Sequence, residues 1–121
     1  VKHVLVVGHY GCGGVKAAYE SADNGLVDNW LRNIRDVHYR HQTELDAISD
    51  EEQRLERLVE LNVAAQVAHV CATNIVQNTW ARGQSLAVHG WVYSLRDGLL
   101  KDLDCSVDSS DAIPGAYRIT G

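Results

Sequence analysis

The sequence of 121 residues contains no methionine, one proline and only three cysteines. An odd number of cysteines argues against a framework of paired disulfides, so we expect a reducing compartment and a cytoplasmic protein. No apolar run is long enough for a transmembrane helix, and we expect no leader segment before the first strand-like stretch. Because that stretch begins almost at position 1, we expect the chain to be a fragment or a processed product.

Clusters of basic residues are also missing, and the formal net charge is −5. We therefore expect neither nucleic acid nor a membrane as a partner. With 45% hydrophobic residues, the chain can bury a core of its own, which predicts a single domain over residues 1–121. Residues 105–121 are rich in serine and aspartate, and this composition predicts a loosely held C-terminal tail.

The most informative stretch is a strand, a glycine-rich turn and a helix at the start of the chain. Four apolar residues (4–7) lead into a turn that holds His9 and Cys12, and Gly13 and Gly14 then open a helix-forming run. A continuous apolar strand is typical of a parallel sheet covered on both faces, and ligands bind at the carboxyl ends of such strands. Imidazole nitrogen paired with thiolate sulfur suits zinc, so we predict that His9 and Cys12 bind one zinc ion.

A phosphate-binding loop is the alternative for any strand, glycine turn and helix. The glycines of this turn do not fit Gly-x-Gly-x-x-Gly, and no Gly-Lys-Ser/Thr follows them. A nucleotide-binding α/β module therefore remains the less favoured hypothesis.

The rest of the sequence predicts helices followed by further strands. Apolar spacing predicts a helix from Leu26 to His41 with Trp30 as a core anchor, and His38 and His41 as surface residues. Ser49 and Glu52 form a capping-box pattern that should begin a long buried helix. We expect this helix to break near Thr73 and to end at Gly83.

A second strand is predicted at residues 85–93, in parallel with the first. Its alternation places Trp91 and Tyr93 on one face and Val92 on the other. Residues 99–104 should form a short closing strand at an edge. Cys71 falls among alanines, which indicates a core thiol rather than a metal ligand.

Three segments together resemble the β-class carbonic anhydrases, of the bacterial type. They are residues 8–14, 25–31 and 89–98, which follow the family's order. The resemblance covers the chain from Val1 to about Asp104. The family's upstream Cys-x-Asp-x-Arg segment, which carries the first zinc ligand, does not occur here. The resemblance thus implies a C-terminal part of the domain: an α/β chain with a largely parallel sheet flanked by helices, incomplete on its N-terminal side.

The same resemblance implies the chemistry. Zinc held by two cysteines and one histidine would hydrate carbon dioxide reversibly to bicarbonate and a proton, and His9 and Cys12 would be two of the three protein ligands. Gly13 and Gly14 would offer backbone N–H groups to an anion at a helix N-terminus. Tyr93 matches a tyrosine of the regulatory bicarbonate pocket found in some bacterial members, and the alternative is a core tyrosine whose hydroxyl is satisfied.

The resemblance further implies a homo-oligomer, a dimer or tetramer. It also requires the missing N-terminal half to lie in the same chain or in another one. A non-catalytic zinc-binding or assembly subunit of the same fold is the competing hypothesis. In either case we expect residues 1–121 to be inactive alone.

Overall fold

The structure is a computed structural model that describes residues 1–20 and 23–119. The end of the predicted tail lies outside this range. The helices and strands, in chain order, are β1 (His3–His9), α1 (Gly13–Glu20), α2 (Val27–Arg40), α3 (Gln42–Asp46), α4 (Glu51–Cys71), α5 (Asn74–Ala81), β2 (Ala87–Tyr93) and β3 (Leu100–Asp102).

The three strands form one sheet in the order β1-β2-β3. β1 and β2 are parallel, with Leu5 beside His89 and His9 beside Tyr93, and the five helices lie between them in the chain. β3 is an antiparallel edge strand on β2. The α/β class, the parallel pair and the closing edge strand are therefore confirmed.

Helix α4 covers one face of this sheet. Val88 and Val92 of β2 are fully buried there. Gly8 and Gly90 permit the close approach, because a Cβ on Gly8 would lie 2.6 Å from Val63 Cγ2, and one on Gly90 would lie 3.0 Å from Val67 Cγ2. The sequence places glycine where the helix comes nearest to the strands.

The opposite face of the sheet is open. Leu5 and Val7 of β1 are 48% and 51% exposed, and their neighbours on β2 are half-buried. Within residues 1–20 and 23–119, the expectation that β1 would be covered on both faces is not met. Among the described residues, β1 is an edge strand that pairs with β2 alone.

Most helix boundaries agree with the sequence pattern. Helix α4 ends at Cys71, and the side chain of Thr73 caps α5 by accepting a hydrogen bond from the Val76 N–H. This confirms the predicted break. Gly83 follows α5 with a φ of +77°, and Cys71 is buried as predicted.

Two details of the predicted helices are wrong. Asp50, not Ser49, is the N-cap of α4 and accepts a hydrogen bond from the Glu52 N–H, because the helix begins one residue later than the capping-box pattern indicates. Trp30 is 73% exposed rather than a core anchor, and Leu31 and Val37 are the residues of α2 that are buried.

Residues 105–119 are attached to the body at several points. Val107 forms an antiparallel bridge with Val88, Ile113 is buried, and the Gln77 side chain bonds the Tyr117 carbonyl and the Ile119 N–H at 2.8 Å. Within the part of the chain that the structure describes, no helix is long and apolar enough to cross a membrane.

Candidate metal centre

His9 is the last residue of β1 and lies at the carboxyl edge of the sheet. Its partner in register is Tyr93, the last residue of β2. The N–H of Tyr10 donates to the Tyr93 carbonyl at 3.1 Å, and this hydrogen bond closes the parallel pairing of His9 with Tyr93. The position that the sequence predicts for the site is therefore held by the sheet itself.

The His9 ring is oriented by the turn that follows it. Its Nδ1 lies 2.9 Å from the carbonyl oxygen of Tyr10. A carbonyl oxygen can only accept, so Nδ1 carries the proton and Nε2 of the neutral ring keeps its lone pair. Gly11 follows with a φ of +75°, a conformation that favours glycine. A backbone acceptor of this kind commonly fixes the tautomer of a metal-binding histidine.

Cys12 lies in the same turn, directly before α1. Its carbonyl accepts the Lys16 N–H at 3.1 Å, and its half-buried side chain packs against the core beneath α4. A Cβ on Gly14 would lie 3.8 Å from the Cys12 sulfur, whereas one on Gly13 would meet nothing within 4 Å. The nitrogen and sulfur donors thus sit in one turn, beside the first residues of α1.

Tyr10 connects this turn to the rest of the fold. Its hydroxyl donates to Glu60 Oε2 of α4 at 2.5 Å, and Lys101 of β3 donates to the same oxygen at 3.1 Å. Arg57 donates to the other oxygen, Oε1, at 3.2 Å. No local sequence pattern predicts this cluster, because Tyr10 and Glu60 lie 50 positions apart in the chain.

The protonation states of this pair follow from its surroundings. Burial, reinforced by the hydrogen bond to Glu60, raises the pKa of Tyr10 well above its usual value. Burial alone would raise the pKa of Glu60, but the hydrogen bonds from Tyr10, Lys101 and Arg57 outweigh it and lower that pKa. Near neutral pH the tyrosine is a donor and the glutamate an ionised acceptor.

Tyr93 lies on the open face of the sheet and is half-buried, as is Trp91 two residues before it. A Cβ on Gly98 would lie 3.8 Å from the Tyr93 hydroxyl. The Nε1 of Trp91 is buried without a hydrogen-bond partner among the described residues. Buried polar atoms without a partner are uncommon in native proteins.

The other candidate ligands lie elsewhere. The His38 ring lies beside the Tyr19 ring, with the centroids 5.3 Å apart and the planes tilted by 33°. The Nδ1 of His41 lies 3.6 Å from a carboxylate oxygen of Glu44. Burial raises the pKa of the Cys71 and Cys105 thiols, as expected for core sulfur. Residues 1–20 and 23–119 contain no group of three histidine, cysteine or acidic side chains that could hold a metal ion. His9 and Cys12 alone therefore do not make a complete centre.

Comparison with known sequences identifies the relatives of the chain. A family model described as carbonic anhydrase matches residues 1–100. A carbonic anhydrase of Emericella nidulans is 53% identical over 86% of this chain and 46% of its own length. One from Pseudomonas aeruginosa is 31% identical over 86% of this chain and 47% of its own length. The chain spans about half the length of these curated relatives.

Solved structures give the same result. The β-carbonic anhydrase of Coccomyxa, solved in complex with acetazolamide, matches with a TM-score of 0.82 and 41% identity, over 92% of this chain and 50% of that one. A β-carbonic anhydrase of Sordaria macrospora, described as tetrameric, matches with a TM-score of 0.81 and 38% identity, over 88% of this chain and 54% of that one.

Proposed function

Because the chain belongs to the β-class carbonic anhydrase family, we propose that it forms part of a zinc enzyme. The reaction is the reversible hydration of carbon dioxide to bicarbonate and a proton. The single observation that carries the proposal is the turn at the end of β1, where His9 and Cys12 offer a nitrogen and a sulfur donor at the carboxyl edge of the sheet.

These two residues suit part of a zinc site. The Tyr10 carbonyl holds the Nδ1 proton of His9 at 2.9 Å and so leaves Nε2 for a metal, and the Cys12 sulfur is of the type zinc prefers. Catalytic zinc sites have three protein ligands and one open position. We therefore propose that His9 and Cys12 supply two ligands and that residues outside this chain segment supply the third.

The chemistry that zinc supplies in such sites is Lewis acidity, which lowers the pKa of a water molecule and provides a nucleophile near neutral pH. The residues of this chain would bind the zinc ion and orient the anion. Gly13 and Gly14 open α1, and their N–H groups suit an anion such as bicarbonate, because the first N–H groups of a helix have no partner within it.

The open face and the open edge of β1 support the proposal that a further segment packs beside this strand. Leu5 and Val7 are about half exposed, and the buried Nε1 of Trp91 has no acceptor among the described residues. Apolar edge strands are normally paired or covered. We propose that a further segment, in the same chain or another, adds a strand beside β1 and carries the Cys-x-Asp-x-Arg motif.

Assembly and regulation form part of the same proposal. The Sordaria relative is described as tetrameric, which supports a homo-oligomer, a dimer or tetramer, for this protein. Tyr93 would contribute to a regulatory bicarbonate pocket, with partners from the missing segment. Three free cysteines support a reducing, cytoplasmic location.

The test is zinc stoichiometry in the full protein that contains these residues. We expect His9→Ala and Cys12→Ser each to lower bound zinc and to abolish carbon dioxide hydration measured by stopped flow. Cys71→Ser is the matched control, since this thiol at the end of α4 is buried in the core. Full zinc occupancy in the His9→Ala, Cys12→Ser double variant would refute the ligand assignment.

A non-catalytic zinc-binding or assembly subunit is the second candidate. It is favoured by the lack of a three-donor group among the described residues. Adding the missing half, or restoring the longer native chain, distinguishes the two. Recovery of hydration activity supports the enzyme, whereas stoichiometric zinc without activity supports the assembly subunit.

A further inference from the structure

Tyr10 is fixed by the fold at three points. Its N–H donates to the Tyr93 carbonyl at 3.1 Å, its ring packs against the core beneath α4, and its hydroxyl donates to Glu60 at 2.5 Å. A residue held at its backbone, its ring and its hydroxyl has little freedom to rotate. Its carbonyl oxygen therefore points in a fixed direction, toward Nδ1 of His9.

Glu60 is in turn fixed by charge. Arg57 on the same helix and Lys101 on β3 both donate to its carboxylate, and Arg57 also donates to Glu44 at 2.8 Å. The carboxylate thus ties α4 and an edge strand to the turn that carries His9. Its side chain is only 13% exposed, so these hydrogen bonds are poorly screened by solvent.

We propose that Tyr10 and Glu60 are positioning residues that orient the His9 imidazole for metal binding. The inference rests on the proposed function, because it takes His9 to be a zinc ligand. The path runs from the Glu60 carboxylate to the Tyr10 hydroxyl, and from the Tyr10 carbonyl to Nδ1 of His9. Neither residue contacts the metal.

The physical reason is the entropy of the ligand before it binds. An exposed imidazole samples several ring orientations and two neutral tautomers, and binding must select one of each. A fixed carbonyl acceptor makes that selection in advance, so less binding free energy is lost. Removal of such outer partners typically weakens metal affinity by about 10- to 100-fold.

The experiment uses the full zinc-binding protein with three variants. Tyr10→Phe removes the hydroxyl but keeps the ring and the carbonyl. Glu60→Gln keeps an acceptor but removes the charge. Glu52→Gln is the matched control, since Glu52 lies on α4, lines the same cavity of about 800 Å³ beside Tyr10 and pairs with Arg96 instead.

Two quantities are measured for each variant. The zinc dissociation constant comes from competition with a chromophoric chelator. The tautomer ratio of His9 comes from the imidazole ¹⁵N shifts of the zinc-free protein, which a merely structural contact would leave unchanged. We expect Tyr10→Phe to weaken zinc binding by about tenfold and to mix the tautomers. Glu60→Gln should have a smaller effect in the same direction, and Glu52→Gln none.

Other results overturn the inference. Unchanged zinc affinity in both Tyr10→Phe and Glu60→Gln would refute it, as would weaker binding with an unaltered tautomer ratio. If Tyr10→Phe fails to fold, Glu60→Gln decides by the same criteria. His9→Ala separates this inference from the proposed function: undiminished zinc affinity in that variant overturns the ligand assignment and, with it, this inference. Lost zinc in His9→Ala beside intact binding in both Tyr10→Phe and Glu60→Gln overturns the positioning role alone.

Discussion

Replacing Gly8 by alanine tests the close packing of β1 on α4, which sets the position of the turn that holds His9 and Cys12. An ideal Cβ at this position lies 2.6 Å from Val63 Cγ2 and 3.6 Å from Val59 Cγ1, and Val63 is buried. Because valine is branched at Cβ, its methyl groups cannot swing away without leaving their rotamer. The strand and α4 must therefore move apart, which shifts His9, the next residue.

The expected change in the free energy of unfolding is the balance of two opposing effects. Overpacking of a core costs about 1–3 kcal/mol, and alanine in place of a strand glycine recovers about 0.5–1 kcal/mol of backbone entropy. We expect Gly8→Ala to lower the free energy of unfolding by about 1–2 kcal/mol, since the overpacking outweighs the entropy that is recovered. Gly13→Ala is the control, because a Cβ there meets nothing within 4 Å.

The assay is urea unfolding of the full protein at one fixed concentration, because oligomer stability depends on concentration. Val63→Ala in the Gly8→Ala background removes the clashing methyl group and should show a favourable coupling of about 1 kcal/mol. Equal stability of Gly8→Ala and Gly13→Ala, with no coupling to Val63, would show that α4 does not approach the strand as described.

Two further predictions concern Gly11 of the turn and Glu60 of α4, which bonds Tyr10 of that turn. Gly11→Ala should destabilise the protein by about 1–2 kcal/mol and weaken zinc binding, since Gly11 has a φ of +75°; unchanged urea midpoints and zinc affinity would contradict this. Glu60 has a lowered pKa. Its charge therefore stabilises the fold at pH values above the usual glutamate pKa of about 4.3. This contribution to stability is lost as the pH falls through the pKa of Glu60 in the folded state. The stability advantage over Glu60→Gln, followed by unfolding from pH 7 to 3, should be constant above about pH 5 and disappear on acidification; a constant difference at every pH would refute it.

Sequence alone determined the local elements and the order in which they occur. The apolar run before Gly8, the break at Thr73 and the glycine stop at Gly83 all lie where the structure has them. Each depends on residues within one or two turns of each other, where periodicity and backbone freedom decide the outcome. The same local pattern located His9 and Cys12 in one turn at a strand end.

Only the tertiary structure decided which faces are covered and which residues support the turn. Trp30 fits an apolar helix stripe yet is exposed. Apolar spacing shows which side of a helix is apolar, but it does not show how much of that side the rest of the fold covers. The pairing of Tyr10 with Glu60 joins positions 50 residues apart. The close approach at Gly8 depends on the distance between a strand and α4, and periodicity along one element carries no information about the distance to another.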